Sequence, residues 1–292
     1  MSTAGVMGQR ACRSVTRRSR GPTVETVAES FLERDLTGAR FHLVNLTDAT
    51  FDQAYLTGAR FHQVDLSRVQ IRNAYLKDVS VNGEVESLTV NGIDVVPLVE
   101  AELDRRHPER VKLRPTDAQG FREAWPVIER LWHQTVERAQ TLDLSLLHQR
   151  VDGEWSFIET LRHLLFATDA WVGRVILGDP SPWHPLDLPF DELRHREGIP
   201  WDRDARPSLP EVLALRTDRM STVARVIRDL TDDQLAASTD PVPEPGWPAS
   251  QSFPVREALM TIINEEWWHR QFAERDLATL TGQPAATGRD AR

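Results

Sequence analysis

From Phe31 to Val81 a large apolar residue stands at every fifth position: Phe31, Leu36, Phe41, Leu46, Phe51, Leu56, Phe61, Leu66, Ile71, Leu76 and Val81. The residue two places before each is Ala or Val from Ala39 through Val79. A helix face recurs every 3.6 residues and a strand face every two, so neither gathers a period of five on one side. A chain that turns a corner every five residues does, with the large and the small residue both facing a narrow interior. The heptapeptide LTGARFH, Leu36 to His42, returns intact at Leu56 to His62, twenty residues on. Four five-residue sides per coil bring both copies to the same side of successive coils.

This pattern resembles the pentapeptide-repeat family over Glu29 to about Asn82. The resemblance implies a short right-handed quadrilateral β-helix of roughly two and a half coils, whose open ends need caps. Val90 to His107 is read as cap and connector, which places the module at 29–96 and a linker at 97–115. The role expected of it is a rigid docking or dimerising arm, for a second copy or a protein partner. Mimicry of DNA, known for longer relatives, needs a strongly negative face. Glu29 to Asn82 carry seven acidic and six basic residues, a net charge of only −1.

At 292 residues the chain has room for two domains, on a usual size of roughly 150 residues each. No run of 18 or more apolar residues occurs, and nothing near the start joins a basic to an apolar segment. Neither a membrane span nor a secretory signal is expected, and the expected location is the cytoplasm. Cys12 is the only cysteine, so an internal disulfide and a Cys-rich zinc or iron–sulfur site are ruled out. Any metal must be held by His, Asp or Glu. Cys12 lies in a basic stretch with Arg10, Arg13, Arg17, Arg18 and Arg20, and 1–28 reads as a disordered tail, as does 283–292. The net charge is −9, and −14 without those five arginines. Such a field repels phosphate backbones and argues against nucleic acid as a partner.

From Thr116 the period becomes helical, and 116–282 reads as one domain. Asp117 to about Leu142 predicts a first helix, with Phe121, Ile128, Leu131 and Trp132 apolar and a kink at Pro126. Ser156 with Glu159 three residues on forms a capping box for a second helix running to about Leu177. A Pro-rich, charged loop of about thirty residues follows, read as mobile, and loops of that length are usually functional. Ser208 caps a third helix, Leu209 to Leu230, with Pro210 in its first turn. After a second Pro-rich crossing, a fourth helix starts near Pro254 and ends before Gly282. Four helices with two long crossings predict a four-helix bundle. The fold class is therefore α+β multidomain, a short β-helix followed by an all-α bundle.

The fourth helix carries the sharpest chemistry. Val255, Leu259, Ile262, Glu266, His269 and Ala273 trace one stripe with Glu265 on its flank, so polar residues interrupt the apolar face. A carboxylate four residues before a histidine lies one turn away on the same side, and Glu265 and His269 have that spacing. His163, backed by Phe166, Ala167 and Ala170 on the second helix, is the best third partner. Two imidazoles and a carboxylate with an open position is the arrangement of catalytic rather than structural zinc. On spacing alone, satisfied core histidines and an ion-paired carboxylate are the plainer reading. Glu266 has two readings, a supporting group or proton acceptor at the site and an outward-facing charge. Trp267 and Trp268 read as packing residues. His184, Asp187, Asp191, Glu192 and His195 on the long loop are weaker ligand candidates, and His133 and His148 read as one core or surface histidine each.

The segments GEWSFIETLRHLL and INEEWWHRQFAERDLATL resemble the second and last helices of the DinB superfamily, metal-binding four-helix bundles. The Glu four residues before the last His is similar to the mycothiol-dependent maleylpyruvate isomerase branch. The resemblance spans Asp117 to Leu280 and implies His163, Glu265 and His269 as ligands. It also implies a divalent metal, zinc first and nickel, iron or manganese as alternatives, with a low-molecular-weight thiol as cosubstrate and a small-molecule substrate. Two functions follow: a metal-dependent thiol transferase or isomerase, or a noncatalytic binding and scaffold protein that keeps the bundle. No Gly-rich phosphate loop and no G-x-S-x-G elbow occurs, which removes nucleotide hydrolysis and serine-hydrolase chemistry.

Overall fold

The computed structural model describes residues 30–282 apart from 62, 63, 84 and 192. Both expected tails, Cys12 and Glu192 lie outside the described residues. The chain divides after Asn82 into two compact units.

In the first unit the five-residue period is written into the backbone. Positive φ recurs at Glu33, Gly38, Leu43, Asp48, Gln53, Gly58, Arg68, Asn73 and Asp78, one corner per repeat. At every second corner a turn closes from N–H to carbonyl: Ala39 to Leu36, Ala49 to Leu46, Ala59 to Leu56 and Val69 to Leu66, at 2.9–3.1 Å. Asp35, Asn45 and Asp65 add an Asx bond to the main-chain N–H of Thr37, Thr47 and Ser67. The two copies of LTGARFH put Gly38 and Gly58 at equivalent corners, where left-handed φ suits glycine. The described residues do not confirm the expected β-helix: they carry no strand between 30 and 82, and the ladder from Leu36 to Ile71 is 44–69% exposed. A corner at every fifth residue leaves short sides, and the bonds present close corners rather than join coils.

The second unit opens with a hairpin, β1 (Thr89–Val90) on β2 (Ile93–Asp94), antiparallel with Thr89 opposite Asp94. Then come α1 (Val96–Arg106) and a 3-10 turn (Pro108–Leu113). The buried Arg110 of that turn reaches back to Glu100 and Asp104 at 2.8 and 2.9 Å. The stretch Val90 to His107, expected as cap and connector, thus groups with the helices, and the expected linker 97–115 carries α1 and the 3-10 turn.

The long helices are α2 (Ala118–Ala139), α4 (Phe157–Thr168), α5 (Leu209–Asp229) and α7 (Val255–Thr281), with short α3 (Leu144–Leu147) and α6 (Asp232–Ala236) between them. Two starts follow the caps read from the sequence, Ser156 with Glu159 and Ser208 with Glu211 forming complete capping boxes. Asp117, expected as the first helical residue, is the N-cap of α2 and accepts from Gly120 N. α2 runs on through Pro126, and α4 continues as a π-helical segment, Asp169–Ile176. α4 packs against α5 and α7, and α2 packs against the same two helices from the other side. Phe121, Trp125 and Ile128 of α2, Ile158 and Leu165 of α4, Val212 of α5 and Leu259 and Ile262 of α7 fill the interior. Each large side chain so buried contributes about 1.5–3 kcal/mol before entropy is charged against it.

Both Pro-rich crossings are tied to helix two by buried arginines. Arg162, 0% exposed, donates to the carbonyls of Leu186, Ala205 and Asp202. Arg174 donates to those of Pro180, Val242, Pro243 and Pro248. The loop 178–207, expected to be mobile, is pinned at both ends.

Candidate metal centre

His163 of α4 and Glu265 and His269 of α7 meet in this unit. Glu265 Oε2 lies 3.5 Å from His163 Nε2 and 3.2 Å from His269 Nδ1. The ring centroids are 4.8 Å apart, and one donor atom from each residue lies within 4.8 Å of the other two. His163 and Glu265 are buried and His269 is partly exposed. The one-turn spacing on α7 places Glu265 beside His269, and the capping box that starts α4 sets the height of His163 against them.

Hydrogen bonding fixes the tautomers. His163 Nδ1 is 3.0 Å from the carbonyl oxygen of Leu188. A carbonyl only accepts, so Nδ1 carries the proton and the lone pair sits on Nε2. By the same reasoning His269 Nδ1, 3.0 Å from the main-chain oxygen of Glu265, is its protonated nitrogen and Nε2 holds the lone pair. The lone pair of His163 Nε2 therefore faces a carboxylate oxygen, an arrangement completed by a cation between them, whether a proton or a metal. Burial alone would push the Glu265 carboxyl up, but with a proton on His163 Nε2 and on His269 Nδ1 the hydrogen bonds from those imidazoles outweigh it and hold the carboxyl well below its usual range. His269 moves up: burial disfavours its cation, and the Glu265 carboxylate more than offsets that.

Donors about 2.1 Å from a tetrahedral cation stand about 3.4 Å from one another. The approach of His163 Nε2 to Glu265 Oε2, 3.5 Å, is on that scale; His269 meets the same oxygen through its protonated Nδ1 and would offer Nε2 to an ion, and two imidazoles with one carboxylate suit a divalent ion. The carbonyl behind His163 is the outer partner such ligands usually have. The residues fit the group.

Trp155, directly before the N-cap Ser156, lies over the cluster, with its ring 4.4 Å from His163 and 6.0 Å from His269. Sequence reasoning did not single it out, although its place ahead of a capping box was a usable signal. The Leu188 carbonyl left no side-chain signal at all. Glu266 stands apart from the three. It is tied to Arg216 of α5 at 2.7 Å, with side chains 1% and 4% exposed, and the guanidinium sits 5.7 Å over the Trp132 ring. It is neither an outward-facing charge nor one of the clustered donors. Trp267 is buried, its ring edge-on to His107 at 5.4 Å, and Trp268 is half-buried.

The weaker candidates are engaged elsewhere. His184 Nδ1 accepts from Leu186 N, Asp191 pairs with Arg203, and the exposed His195 packs edge-on against Trp201. Asp187 is buried beside Asp169. His133 is exposed next to Glu137, and burial pushes the half-buried His148 down.

A bundle of four long helices with a His/Glu/His cluster between the second and the last defines a class of candidate metal-binding proteins. The chain belongs to the DinB superfamily, whose family model matches residues 127–273. Pentapeptide repeats match residues 45–83 in eight copies. No curated protein and no solved structure matches the chain. No helix among the described residues is long and apolar enough to cross a membrane.

Proposed function

We propose that the bundle holds one divalent cation through His163, Glu265 and His269 and acts as a thiol-dependent transferase or isomerase on a small molecule, with the repeat unit as its docking or dimerising arm. The observation that carries this reading is the convergence of imidazoles from two helices on the Glu265 carboxylate at 3.5 and 3.2 Å. The superfamily is generally metal-binding, which supports it. Zinc is the first choice of metal. When bound, such a cation stabilises a thiolate near neutral pH and so supplies a nucleophile.

The chain's own residues have distinct parts. Leu188 holds the His163 ring so that Nε2 faces the cluster. Glu265 brings the single negative charge. Trp155 shields one side from water, and the loop pinned by Arg162 lies against His163. No cysteine occurs in the bundle, so the thiol enters as cosubstrate. Glu266 supports the packing of α7 on α5 through Arg216 and is not given the proton-transfer role expected from the sequence. Protein loaded with cobalt(II) and titrated with a small thiol tests the reading. A sulfur-to-cobalt charge-transfer band in the near ultraviolet is expected. A spectrum indifferent to thiol while cobalt stays bound sinks the thiol chemistry.

A further inference from the structure

Among the buried carboxyl groups outside the cluster are Asp169 and Asp187. Asp169 opens the π-helical segment and is gripped by Arg219 of α5, Nε to Oδ1 and Nη2 to Oδ2, both at 2.9 Å. Asp187, on the loop 178–207, is 0% exposed. Its Oδ2 accepts the main-chain N–H of His184 at 3.1 Å, while its Oδ1 meets no hydrogen-bond donor among the described residues. The side chain within hydrogen-bonding reach of Asp187 is the Asp169 carboxyl. Two ionised carboxylates repel, whereas a pair sharing one proton is hydrogen-bonded.

Burial, and then the Asp169 charge, push Asp187 well above the usual carboxyl range. Burial also raises Asp169, against the pull of Arg219. The other charged or titratable groups around the pair are Arg219 from α5, His184 from the same loop and Arg162 from α4. Arg219 is spent on Asp169, and Arg162 on three carbonyls.

The residues flanking Asp187 touch the metal centre's support. Leu186 O accepts from Arg162 Nε at 2.8 Å, Leu188 N donates to Arg162 O at 3.2 Å, and Leu188 O faces His163 Nδ1 at 3.0 Å. We infer that Asp187 is a positioning residue: as a neutral acid it hydrogen-bonds Asp169, latches the loop to the π-helical segment, and so holds the Leu188 carbonyl that keeps the His163 lone pair on Nε2. Ionising Asp187 puts two negative charges in contact and drives residues 184–188 away from the bundle. The latch stands on the burial of both carboxyls and the donor-less Oδ1 of Asp187, while its effect on cation affinity rests on the metal-binding reading above.

The sign of the pH effect follows from the direction of the shift. A carboxyl raised in the folded chain contributes stability that is whole below its unfolded value and lost as pH rises through the folded one. Asp187→Asn keeps a donor to Asp169 and does not titrate. Urea unfolding of the full chain in the presence of a chelator, from about pH 4 upward, compares the two. The unfolding constant of the wild type is expected to rise relative to Asp187→Asn by about tenfold per pH unit, one proton's worth, until the raised value is passed. Nitrogen-15 shifts of the His163 ring follow the tautomer: in Asp187→Asn the proton stays on Nδ1 at alkaline pH, and in the wild type it does not. A ratio flat across pH, or a His163 ring equally insensitive in both chains, overturns the latch. If Asp187→Asn does not fold, Asp169→Asn supplies the donor from the other side; it removes the second charge but not the burial, so the slope is expected to end at a lower pH than in the wild type, and an unchanged end point overturns the latch. Zinc bound by the wild type near neutral pH tests the metal reading separately, so the two can fail apart.

Discussion

Glu266→Gln separates a structural role for this carboxylate from a catalytic one. In the native chain it meets Arg216 at 2.7 Å with both side chains almost wholly buried, and Arg216 Nη1 has no hydrogen-bond acceptor among the described residues. Glutamine keeps one acceptor but removes the charge, which leaves a guanidinium inside the bundle without its counter-ion. Breaking one side of a buried pair costs about 3–5 kcal/mol, whereas replacing both partners by apolar residues of similar volume is often neutral or stabilising. With a urea slope of about 2 kcal/mol/M, the midpoint is expected to drop by about 1.5–2.5 M. Glu266→Leu with Arg216→Met together should recover most of that loss. Far-UV circular dichroism in urea measures the midpoints, and elemental analysis of the same samples is expected to show unchanged metal per chain. A Glu266→Gln protein as stable as wild type, or a stable double variant stripped of metal, would refute the reasoning.

Three further perturbations bear on other parts of the account. Arg162→Met removes the donors to Leu186, Ala205 and Asp202; a loss of about 2–5 kcal/mol and new protease cleavage within 178–207 are expected, and an uncut loop contradicts the pinning. At Gly246 an added Cβ would lie 2.6 Å from Arg174 Nη1 and 2.8 Å from its Nε. Gly246→Ala therefore displaces a buried guanidinium and should destabilise by about 1–3 kcal/mol, read by calorimetry, with a wild-type melting temperature as the contrary result. Trp155 lies against both imidazoles, so binding of paramagnetic cobalt(II) should quench part of the tryptophan emission, and Trp155→Phe should remove that part; equal quenching in both proteins places the ion elsewhere.

Much of the bundle was legible because local chemistry and global fold agree there. Asp117, Ser156 and Ser208 each start a helix where a short polar side chain can satisfy free N–H groups. The i, i+4 spacing of Glu265 and His269 fixed their shared side before His163 was placed, and the apolar wall behind His163 pointed it inward. The π-helical continuation of α4 left no trace, because that segment reads apolar at either winding. Arg162 and Arg174 were invisible as staples, since their partners are carbonyls that every residue carries. The partner of Glu266 was not legible, because a helical stripe shows which residues face inward but not what they meet there, and Arg216 lies fifty positions away on α5. In the repeat unit the period of five predicted the corners, which side-chain and backbone turn bonds enforce locally, but contacts between coils are not encoded in a period.

The central claim is that His163, Glu265 and His269 together hold one divalent cation. Elemental analysis of protein purified without added metal, run beside His163→Ala, Glu265→Ala and His269→Ala with folding checked by circular dichroism, tests it most directly. About one equivalent per wild-type chain and a marked loss in each folded variant is the expected result. Equal metal content in all four proteins, whether near one or near zero, would contradict it.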